Sequence, residues 1–293
     1  MQTPRSMRLP NGYEAFFYNE AEAEQFCTEI FDKRIYTSQG INLCAGDVVF
    51  DVGANIGLFT LFAADVPGTA IYAFEPALDT FELLEKNVAH NEIGARCFNI
   101  GIGAQCEVRK FVYYPRASGM SSFYANQQEE SESLRSAMQN TIMQSARYPD
   151  ESRRELLSSL DDLIVRRLNR RALDCRIETI SEIVRKTAVR RIDLLKIDVQ
   201  KSELDVLLGI DNVHWPIILQ LVIEIHDIGG RVERIRSLLV ERGYAVSIVQ
   251  DELYRSSCHH NLYATRQRHS RISPQVFSRA MRQRGYQSRR LKE

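Results

Sequence analysis

Apolar residues along this chain alternate between two rhythms. Unbroken runs such as Val48-Val49-Phe50 give way to stretches in which apolar positions recur every three or four residues. The unbroken runs suit strands covered on both faces, and the longer spacing suits amphipathic helices. This alternation predicts strand 47–52, helix 57–65, strand 70–75, helix 77–91 and strand 95–100. Strands separated by helices imply right-handed crossovers, and therefore a parallel sheet. The rhythm returns with a short strand and helix at 176–186, buried strands at 191–199 and 217–224, helix 231–242, and closing strands at 244–249 and 261–266.

Between these two halves the pattern changes. Residues 107–114 suit an extra strand, and Gly119-Met120-Ser121-Ser122 reads as a flexible polar loop. Over 125–172, Gln, Ser, Glu and Arg dominate, with helical spacing in Leu156, Leu157, Leu160, Leu163 and Ile164. A polar helical block that interrupts a sheet pattern predicts an inserted lid. Before the first strand, residues 1–46 form a preface with a helix at 20–35, and residues 267–293 read as a helical or disordered appendage. No repeat at solenoid periods is present.

Composition narrows the class. The 293 residues suffice for one large α/β domain with additions, and 38 basic residues balance 38 acidic ones. A neutral chain has no overall bias toward nucleic acid or anionic membrane, although the stretch from Arg266 onward is locally basic. Six scattered cysteines lack C-x-x-C spacing, so reduced thiols and a cytoplasmic location are expected. The first thirteen residues lack the apolar core of a secretory signal, and no run approaches the ~20 apolar residues of a membrane span.

The most telling segment runs from Val48 through Asp51-Val52-Gly53-Ala54-Asn55-Ile56-Gly57, a buried strand that turns through glycines into a helix. Such a turn presents backbone N–H groups where an anionic ligand group can be held. The next strand ends in Glu75-Pro76, an acid roughly 20 residues on, where dinucleotide-type folds place a ribose-binding carboxylate. The turn lacks G-x-G-x-x-G, however, and with it the tight pyrophosphate cradle. That favours an adenosyl ligand without phosphates.

At these residues the chain resembles the FkbM-type family of class I S-adenosylmethionine-dependent methyltransferases. The resemblance spans approximately 30–265 outside the insertion. It is carried by Ile35-Tyr36 to Gly40-Ile41, Gly46 to Gly57, Phe74-Glu75-Pro76, Asn99 to Gly103, Leu194 to Val199, Glu203, Gly209 and Val222 to His226. It implies a Rossmann-like, mostly parallel seven-stranded sheet with helices on both faces and an antiparallel edge. The implied domain occupies 47–266, behind a helical preface and under a helical lid. Where the family continues K-I-D-V-E-G, this chain has Lys196-Ile197-Asp198-Val199-Gln200-Lys201.

Ligands in open α/β sheets sit beyond the carboxyl ends of the strands. By resemblance, Asp51, Gly53, Asn55 and Gly57 shape the site for the methionine end of S-adenosyl-L-methionine, and Glu75 accepts from the ribose hydroxyls. Asn99 flanks the adenine, while Tyr36 and Ser121 or Ser122 close over the cofactor. Asp198 joins this group as a substrate-side acid, a helix cap, or one of a set with Asp227 and Glu224 able to approximate oxygen ligands; no metal is assigned. Methyl transfer to an alcohol requires alignment and removal of a proton. His226, two residues past Glu224 on the same strand face, is the expected base, with Glu224 orienting it. Lys196 is expected in a buried ion pair, and His259-His260 stands apart from the other histidines, which read as structural or exposed.

The resulting expectation is an O-methyltransferase acting on a hydroxyl of a natural-product intermediate, polyketide or peptide–polyketide. Tethering to an acyl carrier protein would imply neighbouring synthase domains and a chain excised from a longer polypeptide. A sugar or lipid hydroxyl is the alternative acceptor. Two other classes stand against these readings. Nucleic-acid amine methylation calls for a D/N-P-P-Y/F-type loop, where this chain has Asp198-Val199-Gln200-Lys201. A non-catalytic cofactor-binding module would have no need of Glu224 and His226. Neither nucleic acid nor membrane is expected as a partner.

Overall fold

A computed structural model describes residues 3–144, 149–250 and 258–266. The chain opens with a hairpin, β1 (Arg5–Arg8) and β2 (Glu14–Phe17), followed by α1 (Glu20–Cys27) and a π-type turn over Thr28–Asp32. Then come β3 (Val48–Val52), α2 (Leu58–Ala64), β4 (Ala70–Phe74), α3 (Leu78–His90) and β5 (Arg96–Phe98). Strands β6 (Gly101–Ile102) and β7 (Glu107–Tyr113) precede three helices, α4 (Gln127–Gln144), α5 (Asp150–Ser158) and α6 (Leu160–Arg167). The remainder is β8 (Arg171–Glu178), α7 (Ile180–Thr187), β9 (Leu194–Ile197), α8 (Glu203–Leu208), β10 (Gln220–His226), α9 (Arg231–Glu241), β11 (Ala245–Val249) and β12 (His259–Thr265).

Seven strands form the main sheet in the order β11-β12-β10-β9-β3-β4-β5. The five from β10 to β5 run parallel, and β12 pairs antiparallel with both β10 and β11. The order reverses between β3 and β9, so a crevice opens beyond the carboxyl ends of those strands. Apolar side chains on the two sheet faces build separate cores. One contains Phe50, Phe74, Leu195 and Ile223, and the other Val49, Leu61, Leu194 and Val222.

The insertion folds as three helices, α4–α6, and its attachment explains how it holds its place. Strands β7 and β8, which flank it in sequence, pair antiparallel from Glu107–Ile177 to Tyr113–Arg171, with β6 beside β8. The three helices therefore leave and rejoin one small sheet. Leu134, Ile142, Leu160, Ile164 and Leu168 give the insertion a core with Tyr114. Burial of each such side chain contributes about 1.5–3 kcal/mol.

The preface differs from expectation. The expected helix is present as α1 continued by a π-helix over Thr28–Asp32, and a hairpin that the apolar pattern does not predict stands ahead of it. Strand β1 is mostly exposed and shows no alternation that would mark it as a strand. Its partner β2 is instead fixed by α3. Asn87 accepts from the Phe16 N–H at 2.6 Å and donates to the Phe16 carbonyl at 3.1 Å, and Asn91 makes the same two bonds with Glu14 at 2.9 and 2.8 Å. Two asparagines thus imitate a neighbouring strand along the β2 edge. Asn87 also donates to the Ile56 carbonyl at 2.7 Å, which connects the hairpin to the glycine turn.

The basic segment 267–293 lies outside the described residues. Among the described residues no helix is long and apolar enough to cross a membrane. Because Asn87 is fully buried, Asn87→Leu strips partners from three backbone groups at once. Each such loss costs about 1–3 kcal/mol. Urea unfolding of this variant should show a loss of about 2–5 kcal/mol, and a change near zero would contradict this account of the hairpin.

Candidate active site

One cavity of about 1310 Å³ lies over the carboxyl ends of the central strands, between the sheet, the α1 segment and the lid. Its lining includes eight of the expected residues: Tyr36, Gly53, Asn55, Glu75, Ser122, Asp198, Glu224 and His226. Tight packing forms its floor. A Cβ on Gly53, whose φ is +75°, would lie 1.7 Å from the Asp198 carbonyl oxygen, so only glycine lets the turn press against the end of β9. The Gly53 and Ala54 N–H groups both donate to the Phe74 carbonyl at 3.0 Å, joining the turn to β4 as well.

Glu75 is held at both oxygens. Oε2 accepts from the Asn55 N–H and Oε1 from the Ala77 N–H, each at 3.0 Å. The second bond holds the backbone just ahead of α3. Each carboxylate oxygen still has acceptor capacity on the cavity side. Burial pushes this carboxyl up to about 7 against the pull of the two amides. Asn55, at φ 50°, also reaches Ser118 at 3.1 Å, connecting the turn to the polar loop before the lid.

Three expected residues are absent from the lining, each for a structural reason. Asp51 is buried behind the turn, where it accepts from the Thr60 hydroxyl at 2.8 Å and pairs with Lys196 at 3.0 Å. Gly57 serves packing, since a Cβ there would lie 2.6 Å from Leu84 Cδ1. Asn99 donates to the Glu75 and Pro76 carbonyls at 3.0 and 3.1 Å, bracing the loop that carries Glu75. All three shape the site from outside it.

On the roof, the Tyr36 hydroxyl donates to Asp198 at 2.8 Å, and its ring meets Phe59 edge to face at 5.2 Å. Burial, then the Asp198 and Glu224 charges, raise this phenol well above its ordinary value. Ser122 donates to the Gln200 carbonyl and accepts from the Tyr124 N–H at 2.9 Å. Lys201 reaches Glu129 at 3.0 Å and Glu130 at 3.5 Å on the first lid helix. The loop after β9 is therefore connected to the lid.

The histidine end departs from expectation in its carboxylate. His226 bonds through Nδ1 to Glu203 at 2.8 Å, and no hydrogen bond joins it to Glu224 among the described residues. Glu203 is fully buried, and its other oxygen accepts from Arg231 at 2.9 Å. Burial pushes the Glu203 carboxyl up, but His226 and then Arg231 outweigh it and hold it below the usual range. An ionised carboxylate can only accept, so Nδ1 donates to Glu203 and Nε2 is the ring nitrogen left for a second partner.

Glu224 faces a different field. Burial, then the charges of Asp198 and Glu29, raise it well above the usual carboxylate range, with Lys196 opposing. The closing strand begins at His259, two residues earlier than the apolar pattern predicts, and places that ring 4.4 Å from the His226 ring at 83°. Burial and the His226 charge lower His259 to about 4. Glu203 carried a signal in sequence as a motif residue. Its meeting with His226 depends on how α8 packs under β10, which no local pattern encodes.

A family model described as the methyltransferase FkbM domain matches residues 51–246. The 31-O-demethyl-FK506 methyltransferase FkbM of Streptomyces tacrolimicus is 35% identical over 262 residues, covering 89% of this chain and 96% of that protein. The AMB antimetabolite synthetase AmbE of Pseudomonas aeruginosa is 35% identical over 266 residues, 88% of this chain but 12% of that much longer protein. Methyltransferase 1 of Beauveria bassiana is 31% identical over 202 residues, covering 68% of this chain and 73% of that protein. With its glycine turn, its strand order and these relatives in agreement, the chain belongs to the FkbM methyltransferase family.

Proposed function

We propose that this protein transfers the methyl group of S-adenosyl-L-methionine to a hydroxyl of a natural-product intermediate, polyketide or peptide–polyketide, free or carried on an acyl carrier protein. The observation that carries the reading is a single cavity lined both by the Gly53–Asn55 turn with Glu75 and by a histidine whose Nδ1 is committed to a buried carboxylate. The Streptomyces relative is named for methylation at an oxygen and AmbE for synthesis of an antimetabolite, which supports a natural-product acceptor.

The residues fit the cofactor on their own terms. Glu75 is a buried carboxylate, pushed up to about 7 by burial, with spare acceptor capacity that two ribose hydroxyls would match. Gly53 lets the turn that lines the cavity press against the end of β9. Tyr36, Asn55, Ser122 and Asp198 complete the cofactor's surroundings in this reading.

The cofactor supplies an electrophilic methyl carbon on a sulfonium. The chain's contribution is alignment and proton removal. With the cofactor held by Tyr36, Asn55, Glu75, Ser122 and Asp198 and supplying the methyl group, His226 would take up at Nε2 the proton that the acceptor hydroxyl gives up on methylation. Glu203 stabilises the imidazolium and fixes its tautomer, as a carboxylate does in hydrolytic triads. Glu224, on the same strand face, borders the acceptor.

Binding of labelled cofactor followed by transfer to hydroxyl acceptors tests the proposal, and failure to bind the cofactor ends it. His226→Gln should lower methyl transfer by about 10²–10⁴-fold while cofactor affinity stays nearly unchanged; intact turnover would remove the base assignment. Glu75 gives an independent check by pH. Its folded-state value of about 7 exceeds the ordinary 4.5, so the folded chain holds the proton more tightly than the unfolded one. Without cofactor, its contribution makes stability fall as pH rises from about 4.5 to about 7, and flatten beyond. Relative to Glu75→Gln, the wild type should lose about 2–4 kcal/mol across that window in chemical unfolding; parallel curves would refute the burial argument.

A further inference from the structure

The last turn of β10 and the first residue of β12 carry a second chemical possibility. His226 and His259 are direct cross-strand partners in the antiparallel register, and Glu224 precedes His226 by two residues on the same strand face. One ligand atom from each of Glu224, His226 and His259 lies within 4.8 Å of the other two. All three side chains line the cavity. They belong to paired strands, so the backbone that carries them is held by the sheet ladder.

We propose that Glu224, His226 and His259 form a binding site for a divalent transition-metal ion of the zinc and cobalt class, and that the ion inhibits methyl transfer by occupying the lone pair of His226. The binding half stands on the strand geometry alone. Only the inhibitory half rests on the role proposed above for His226.

Two imidazoles and one carboxylate with open positions toward a cavity are the donor set of borderline ions, whereas magnesium and calcium favour oxygen alone. Bonds of about 2.0–2.2 Å bring such donors within about 3.5 Å of one another. The remaining closure is a matter of side-chain rotation by His259 and Glu224. The outer partners of the site are already in place. Glu203 accepts from His226 Nδ1 at 2.8 Å and is itself held by Arg231 at 2.9 Å, the arrangement by which a carboxylate orients a ligating histidine through its far nitrogen. A cation also answers the local field, since Glu224 stands among the charges of Asp198 and Glu29 with Lys196 opposing.

The ion and the acceptor proton compete for one electron pair. Metal bound at His226 Nε2 leaves nothing there to accept a proton. Turnover would therefore respond to free metal even though no step of transfer uses it.

The test titrates chelator-treated full-length protein with Zn²⁺ by calorimetry and with Co²⁺ by visible absorption, alongside His259→Ala, Glu224→Gln and Glu203→Gln. Circular dichroism and cofactor binding establish that each variant is folded. One ion per chain is expected for the wild type, with Glu203→Gln weakening it about 10–100-fold and the two ligand variants at least as much. Absence of saturable binding, or binding that neither ligand variant weakens, overturns the site. In the activity arm, Zn²⁺ should slow the wild type, chelator should restore it, and the inhibition midpoint in His259→Ala should move upward by the same factor as its affinity. Site-specific binding that accelerates transfer would overturn the inhibitory role together with the free-base role of His226. Site-specific binding in a protein that transfers no methyl group to any acceptor would leave the metal site standing and refute the proposed function alone.

Discussion

The Lys196 ammonium, buried between β3 and β9, is the interaction on which the site depends. It contacts Asp51 at 3.0 Å and donates to the Gly53 carbonyl at 2.7 Å, with Asp198 at 3.8 Å. Burial pulls this ammonium down, but the Asp51 and Asp198 charges outweigh it, and the group stays charged. One cation thus fixes the end of the first core strand, the glycine turn and the carboxylate that meets Tyr36. Removing either partner of such a buried pair costs about 3–5 kcal/mol, because the survivor is left uncompensated. Asp51 therefore looks like a ligand residue in sequence while acting as the anchor beneath one.

Much of the fold could be read from the chain because its signals are local and redundant. Runs such as Val48-Val49-Phe50 and Leu194-Leu195 are apolar on both faces, and the structure pairs them as neighbouring parallel strands. The closing antiparallel strands were legible for the same reason. The β1–β2 hairpin was not, because its edge is satisfied by Asn87 and Asn91 from a helix more than 70 residues away. The site divides along similar lines. Gly53 and Glu75 belong to a short motif with a mechanism attached. Gly57 and Asn99 belong to the same motifs yet act on Leu84 and on the Glu75 loop, and only packing separates these roles. Glu224 and His226 alternate correctly on one face, but alternation says which side chains share a face, not which of them bond.

The departure at Gln200-Lys201 shows how a broken motif is accommodated. Both residues have positive φ, 47° and 75°, and the second stands where the family pattern has glycine. Left-handed backbone costs an ordinary residue about 1–2 kcal/mol. Bonds available only in this conformation offset the strain. The Gln200 carbonyl accepts from Ser122, the Lys201 N–H donates to Glu203 at 2.8 Å, and the Lys201 ammonium reaches Glu129 on the lid. A glycine would relax the backbone and lose the ammonium. The loop thereby connects three things that sequence keeps apart: the polar loop before the lid, the lid itself, and the carboxylate that holds His226.

That connection bears on how the two ends of the cavity act together. Glu203 accepts from the backbone of the strained loop and from the imidazole at the same oxygen, so Lys201 and His226 share one carboxylate. At the opposite end, Asn55 bonds both Glu75 and Ser118, and Ser118 in turn donates to Glu22 at 2.9 Å on α1. Preface and lid each hold one end of the site through a short chain of hydrogen bonds. In the proposed reaction the methyl carbon and the acceptor oxygen must meet within a few tenths of an ångström of a productive line. The scaffold ties Glu75 to the preface and His226 to the helical insertion through short hydrogen-bond chains, while Lys196 fixes the floor between them.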